Sequence, residues 1–437
     1  MLNDLIFDLS RYPSVAIFGF GREGRSFYDF AKKYLPNATL RIVDKNEPVE
    51  IQGDEKVSIF SGDGYLEGLS GVDLVVKSPG ISLYNLGIAH DQYNFTSTTE
   101  LFIKHYKKQI IGVTGTKGKS TLVSVMYDLF KNDGRKVVLC GNIGTPAFET
   151  LESVDDETLI VMELSSHQLH NIKHSPRVAI LTNLFEEHLD YYKSLREYYE
   201  AKFNVMRFQN SDDIVILNLK EPYEELKAEI FQTARVYNVF ENELKRKVEF
   251  NMRNGFIHTS SLRLLEKIAE IFGVDAEIYL KTIREFKTLP HRLEYVATIC
   301  GISFINDSIS TIPEATIEAV KILKDVETLI LGGHNRGIHY DSLVDFLATC
   351  DVENIVFFSD TGKIIFDKIS ARKRSPNLHY MKSLRECVEK AYEIAKQENS
   401  IALFSPAASS FNQYKNFMER GDEFKNAVKE IGAKREC

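Results

Sequence analysis

The sequence predicts an α/β fold of three successive parallel-sheet domains, and three observations lead there. Short β-branched or aromatic runs recur along the whole chain, helical periodicity fills many of the gaps between them, and two glycine-rich turns sit between a strand and a helix. The first set of runs is Val15–Phe18, Leu40–Val43 and Leu74–Val76, with a helix over Ser26–Tyr34. The second is Gln109–Val113, Lys136–Leu139, Leu159–Met162, Val178–Leu181 and Ile214–Leu217, with helices over Ser120–Lys131 and Leu195–Met206. The third is Ser303–Ile305, Thr328–Leu331, Asn354–Phe358 and Ile401–Phe404. Boundaries near Thr98 and Thr288 give domains 1–98, 99–288 and 289–437, which suits a 437-residue chain at about 150 residues per domain.

Composition narrows the function. Apolar residues make up 43% and charged residues 27%, which is ordinary for a globular protein and excludes extensive disorder. Lys and Arg total 54 against 62 Asp and Glu, so the formal charge of −8 argues against a nucleic-acid partner. No apolar run approaches the roughly 20 residues of a membrane span, and the first residues carry no signal-peptide pattern. Cys140, Cys300, Cys350, Cys387 and Cys437 are scattered and odd in number, and read as reduced thiols of a cytoplasmic protein.

The stretch Gly112-Val-Thr-Gly-Thr-Lys-Gly-Lys-Ser-Thr121 follows an apolar strand and opens a helix. Such a turn aims backbone N–H groups and a helix N-terminus at phosphate oxygens. Gly115, Thr116, Lys117, Gly118 and Thr121 then form an ATP-phosphate loop, Lys119 meets the β- and γ-phosphates, and Ser120 offers a hydroxyl to Mg²⁺. Val113 stands where the strict motif has glycine, so the loop is a variant. Glu163 ends the strand Leu159–Met162, where open α/β sheets bind ligands, and its carboxylate suits Mg²⁺. Thr182-Asn-Leu-Phe-Glu-Glu-His188 delivers an imidazole to the same sheet edge. Read alone, His188 is as readily a surface or core histidine as a ligand, and Lys202 is a solvated helix lysine.

Nearer the start, Gly19-Phe-Gly21-Arg-Glu-Gly24 lies between strand and helix, and Asp44 ends the next strand. This is the dinucleotide-binding pattern, with pyrophosphate over the helix start and an acid near the ribose. Taken by itself it suits an NAD-binding or regulatory module. Beside a phosphate loop it suggests a nucleotide-linked substrate acted upon by ATP.

These motifs, with Gly141-Asn-Ile-Gly144, Glu163-Leu-Ser-Ser166, Leu289-Pro-His-Arg292, Asn306-Asp-Ser308 and Ser405-Pro-Ala407, resemble the ATP-dependent Mur ligases of peptidoglycan synthesis over essentially the whole chain. Among them the resemblance is to those adding glutamate to UDP-N-acetylmuramoyl-L-alanine. It implies a Rossmann-like UDP-binding domain, a central P-loop ATPase-like domain, and a Rossmann-like third domain that closes over ATP and supplies the amino-acid site. By resemblance Gly19, Gly21, Arg22, Glu23, Gly24, Asp44, Ser78, Asn142 and Ser165 contact the UDP substrate, and Arg292 and Asp307 reach ATP. Ser120, Glu163, His188 and a carbamylated Lys202 look like the ligands of one or two Mg²⁺, and Lys119, His188 and Lys202 carry the catalysis. Thr311, Arg336, Ser410 and Phe417 resemble the glutamate site. The family implies a monomer with small-molecule substrates.

Two departures bear on the substrate. By resemblance, Leu262 stands where the family commonly has an asparagine that contacts the nucleotide, and Ile309 where it has a lysine expected beside the amino acid's carboxylates. Arg336 is the candidate replacement cation, since a guanidinium binds a carboxylate bidentately. The resemblance implies D-glutamate, with L-glutamate as the alternative that a shifted carboxylate pose allows.

Overall fold

The computed structural model describes the chain except residues 48–50, 52–55, 186–190, 221–233, 247–253, 255, 373–375, 396–398, 412 and 435–437. The described residues build three sheets.

The first sheet contains β1 (Ser14–Phe18), β2 (Thr39–Val43), β3 (Val57–Phe60), β4 (Leu74–Lys77) and β5 (Phe95–Thr96), in the order β3-β2-β1-β4-β5 and all parallel. The second contains β6 (Ile110–Thr114), β7 (Val137–Gly141), β8 (Leu159–Glu163), β9 (Val178–Leu181), β10 (Ile214–Leu217) and β11 (Arg235–Asn238), in the order β11-β10-β9-β6-β8-β7 and again all parallel. The third holds β12 (Glu294–Ile299), β13 (Ile302–Asn306), β14 (Val326–Gly332), β15 (Asn354–Phe358), β16 (Asn377–Tyr380) and β17 (Ser400–Phe404), ordered β12-β13-β17-β14-β15-β16. Only β12 runs antiparallel there, joined to β13 by a tight turn at Cys300-Gly301. Parallel strands need covered crossovers, and the helices Arg22–Tyr34, Lys119–Asn132 and Leu384–Ile394 each bury an apolar face in that role.

Central strands such as β6, β9, β10 and β13 are buried at every position, and β9 and β10 are accordingly continuous apolar runs. The chain divides into two compact units. Met1–Lys245 with Ser260–Thr282 holds the first two sheets, and Arg246–Thr259 with Ile283–Cys437 holds the third.

Among the described residues no helix is long and apolar enough to cross a membrane. Cys140, Cys350 and Cys387 are free, as expected, but Cys300 is disulfide-bonded, which corrects the reading of five reduced thiols.

Candidate active site

The phosphate loop leaves the C-terminal end of β6, and Gly115 (φ +142°) and Gly118 (φ +81°) make its turn. A Cβ on Gly115 would stand 2.0 Å from Thr182 Oγ1, so only glycine lets the loop approach the end of β9. Two lysines hold the loop's carbonyls. Lys119 Nζ donates to Gly115 O at 2.9 Å and Thr116 O at 3.0 Å, and Lys202 Nζ donates to Gly115 O at 2.8 Å. Lys202 is 2% exposed, with its ammonium 4.6 Å from the centre of the Tyr198 ring, so it is no solvated helix lysine.

Other partners fix the rest of the loop. Thr116 Oγ1 accepts from Phe185 N at 3.0 Å and lies 3.1 Å from Tyr198 Oη, while Lys117 N donates to Asn183 Oδ1 at 2.8 Å. Lys117 O accepts from Thr182 Oγ1 at 2.7 Å and Asn183 Nδ2 at 3.0 Å. Ser120 is buried in the first turn of the helix that follows, and Thr121 comes next.

Glu163 closes β8 and is 1% exposed. Its Oε1 accepts from Asn142 Nδ2 at 2.7 Å, and its Oε2 is buried without a hydrogen-bond partner among the described residues. Asn142 gets there because Gly141 (φ +103°) presses against Glu163, with no room for a Cβ beside Glu163 O at 2.3 Å. A bare buried carboxylate oxygen calls for a cation or a proton. Lys119, Asn142, Ser165, His167, Tyr198 and Lys202 line one cavity of about 400 Å³. Among the described residues no three His, Cys, Asp or Glu side chains cluster as metal ligands, and the predicted ligand His188 lies outside the described residues.

The first glycine turn is held by the protein itself. Gly19 (φ +92°) accepts from Ser78 Oγ at 2.6 Å, and a Cβ on Gly24 would meet Gly19 O at 2.1 Å. Asp44 Oδ2 accepts from Phe20 N at 2.6 Å. Gly21 caps the helix with open space at its Cα. Arg22 donates to Gly144 O at 2.7 Å, tying the turn to the Gly141–Gly144 motif. Glu23 turns inward, accepting from Gln168 Nε2 at 2.7 Å and from Thr98 Oγ1, and burial pushes its carboxyl up. Ser165 caps the helix Ser166–Leu169 in a reciprocal capping box with Gln168.

The second unit carries the remaining predicted residues at the C-terminal ends of β13, β17 and β14, where parallel sheets place ligands. Asp307 accepts from Ser310 Oγ at 2.5 Å, Ser405 Oγ at 2.9 Å and Leu293 N at 3.3 Å. Burial pushes its carboxyl up to about 6, against the pull of those donors and of the Arg292 charge. Ser410 is buried, Thr311 and Phe417 are half-buried, and Arg336 is exposed, its guanidinium 5.8 Å from the Phe411 ring. The partly buried Ile309 brings no charge.

Four participants were missed from sequence. Thr182 and Asn183 follow β9, a position that could have found them, and Tyr198 sits four residues before Lys202 on one helix face. Arg420 carries no such signal. It is fully buried and donates to the Ser308, Ala408 and Ser409 carbonyls.

Comparison with known proteins gives the family. Residues 113–278 match the Mur ligase middle domain. The UDP-N-acetylmuramoylalanine–D-glutamate ligase of Acetivibrio thermocellus is 31% identical, covering 96% of this chain and 97% of its own. That of Caldanaerobacter subterraneus subsp. tengcongensis is 34% identical over 88% of this chain and 90% of its own. The MurF ligase of Thermotoga maritima, solved in complex with ADP, has the same fold at a TM-score of 0.57 and 15% identity, covering 96% of this chain and 95% of its own. The chain belongs to the Mur ligase family, among relatives named UDP-N-acetylmuramoylalanine–D-glutamate ligases.

Proposed function

We propose that this chain joins D-glutamate to UDP-N-acetylmuramoyl-L-alanine in peptidoglycan precursor synthesis, as a cytoplasmic monomer, with cleavage of ATP to ADP and phosphate. One observation carries the reading. Lys119 and Lys202, which pin the phosphate loop, and Asn142, which donates to Glu163, line a single cavity at the ends of β6, β7 and β8.

The substrate's alanyl carboxylate attacks the γ-phosphorus of ATP, ADP leaves, and an acyl phosphate forms. The deprotonated amine of D-glutamate then adds to the acyl carbon, and the tetrahedral intermediate expels phosphate to leave the amide. Phosphoryl transfer is governed by positioning and charge. Lys119 and the loop N–H groups hold the β- and γ-phosphates, while Thr182 and Asn183 keep the loop in register. Ser120 Oγ and Glu163 Oε2 suit Mg²⁺, since a bare carboxylate oxygen and a buried hydroxyl are hard oxygen donors. The family resemblance adds His188 and a carbamylated Lys202 to that set. When bound, Mg²⁺ neutralises charge on the transferring phosphoryl.

Arg22, Ser78, Asn142 and Ser165 with the Gly19–Gly24 turn hold the UDP substrate in this reading. Arg292 and Asp307 serve ATP, and Thr311, Arg336, Ser410 and Phe417 the amino acid. The test is ADP release by purified protein given ATP, Mg²⁺ and UDP-N-acetylmuramoyl-L-alanine with each of a panel of amino acids. Turnover with D-glutamate is expected. Turnover with L-glutamate alone would overturn the isomer, and turnover with neither would overturn the glutamate assignment.

A further inference from the structure

Arg420 is the most deeply buried cation among the described residues of the second unit, at 0% exposure. It projects from the first turn of the helix Phe417–Lys434 into the sheet's C-terminal edge. Its Nε donates to Ser308 Oγ at 3.1 Å, Nη1 to Ala408 O at 2.9 Å and Ser409 O at 3.0 Å, and Nη2 to Ser308 O at 2.7 Å. That uses four of its five N–H donors. Every acceptor is a neutral oxygen, and no carboxylate pairs with it among the described residues. Burial pulls its guanidinium down to about 9, which leaves it charged at neutral pH.

A buried charge without a counter-ion is costly, and a residue needed only for packing has no reason to carry one. Its position says what the charge is for. The carbonyls it grips belong to the loops after β13 and β17, and the loop after β14 joins them, because Gly333 approaches so closely that a Cβ would lie 2.8 Å from Arg420 Nη1. Ser308 Oγ in turn donates to Phe417 O at 2.8 Å. Peptide units are planar, so fixing the Ser308 and Ser409 carbonyls fixes the planes that carry the N–H groups of Ile309 and Ser410. A carbonyl bound to a cation also polarises its peptide, strengthening the N–H on the far side.

We propose that Arg420 is a positioning residue of the amino-acid site, which sets the two loops bearing Ile309 and Ser410 and supplies, from beneath them, the positive charge that a dicarboxylate amino acid needs where residue 309 has none. The inference rests on reading this sheet edge as the amino-acid site. It accounts for binding of a dianionic side without a lysine at 309 and without requiring the exposed Arg336 to move.

Three variants of the full chain test it, with initial rates measured against each of the three substrates. Arg420→Met keeps volume and removes charge, Arg420→Lys keeps charge and loses the fork, and Ser308→Ala removes one acceptor. KM for D-glutamate is expected to rise about 30-fold or more in Arg420→Met, about 5-fold in Arg420→Lys and about 3-fold in Ser308→Ala. KM for ATP and for the UDP substrate should stay within about twofold in all three. A residue needed only for folding would move all three KM values or only the amount of soluble protein. If both Arg420 variants fail to fold, Ser308→Ala decides. An unchanged KM for D-glutamate in any folded variant, or equal rises for all substrates, overturns the proposal. Lack of turnover by the unaltered chain would instead overturn the function on which it rests.

Discussion

Two buried carboxylates follow parallel strands in this molecule, and they are treated in opposite ways. Glu163, at the end of β8, has one oxygen on the Asn142 amide and the other without a partner among the described residues. Asp307, just past β13, has both oxygens covered by Leu293 N and the hydroxyls of Ser310 and Ser405. The cations are reversed too. In the first unit Lys119 and Lys202 point at the carbonyls of a loop that in the proposed reading faces phosphate, whereas in the second unit Arg420 holds neutral loops that in that reading face carboxylates. An unfinished anion leaves an oxygen for a cation, whereas a completed one orders the groups that donate to it.

Breaking the unfinished site has the largest expected effect. Lys119→Ala should lower kcat by at least about 10²-fold, the usual cost of removing one electrostatic stabiliser of the transition state. Near-normal turnover would remove ATP from the cavity. Lys202→Ala should be as severely impaired, and added acetate or formate should restore part of the activity if a carbamate normally occupies that place. Full activity without supplement would reduce Lys202 to a support for Gly115.

The completed site predicts a pH effect instead. Asp307 titrates near 6 when folded against an ordinary value of 3.8, so between those values the folded state holds more proton than the unfolded one. Stability from this group is therefore full below about pH 4 and is lost as pH rises through about 6, by at most about 3 kcal/mol. Asp307→Asn should abolish that part of the slope. Denaturant unfolding of both proteins between pH 4.5 and 7.5 measures it, and a difference that does not vary with pH would contradict the buried-acid account.

Much of this fold is legible in the sequence. The twelve strands read from apolar runs all appear; all but the edge strand β7 are interior, and central parallel strands are buried on both faces. The strands β3, β5, β11, β12 and β16 were missed, and every one is a sheet edge with mostly partly or fully exposed residues, as in Arg235–Asn238. Half-solvated edges leave no continuous apolar signal. The loop lysine and Glu163 could be read from the strand-to-turn position. The burial of Lys202 could not, because the carbonyl it serves, Gly115, lies far away in sequence. Arg420 was invisible for the same reason, its acceptors being supplied by two distant loops.

The smallest predicted effect separates the two carboxylates most directly. Asn142 is exposed and makes its side-chain bond to Glu163, so Asn142→Ala should leave folding nearly untouched. What it removes is the donor that holds Oε1 and so orients the carboxylate. Outer partners of metal-binding groups are commonly worth 10- to 100-fold in metal affinity, and an exposed partner belongs at the low end. The Mg²⁺ concentration giving half-maximal rate should therefore rise about 10-fold, with kcat at saturating Mg²⁺ changed by less. If Asn142 served only the UDP substrate, KM for that substrate would rise while the Mg²⁺ requirement stayed put. Such an outcome would make Asn142 a substrate contact alone and leave the Glu163 carboxylate independent of it.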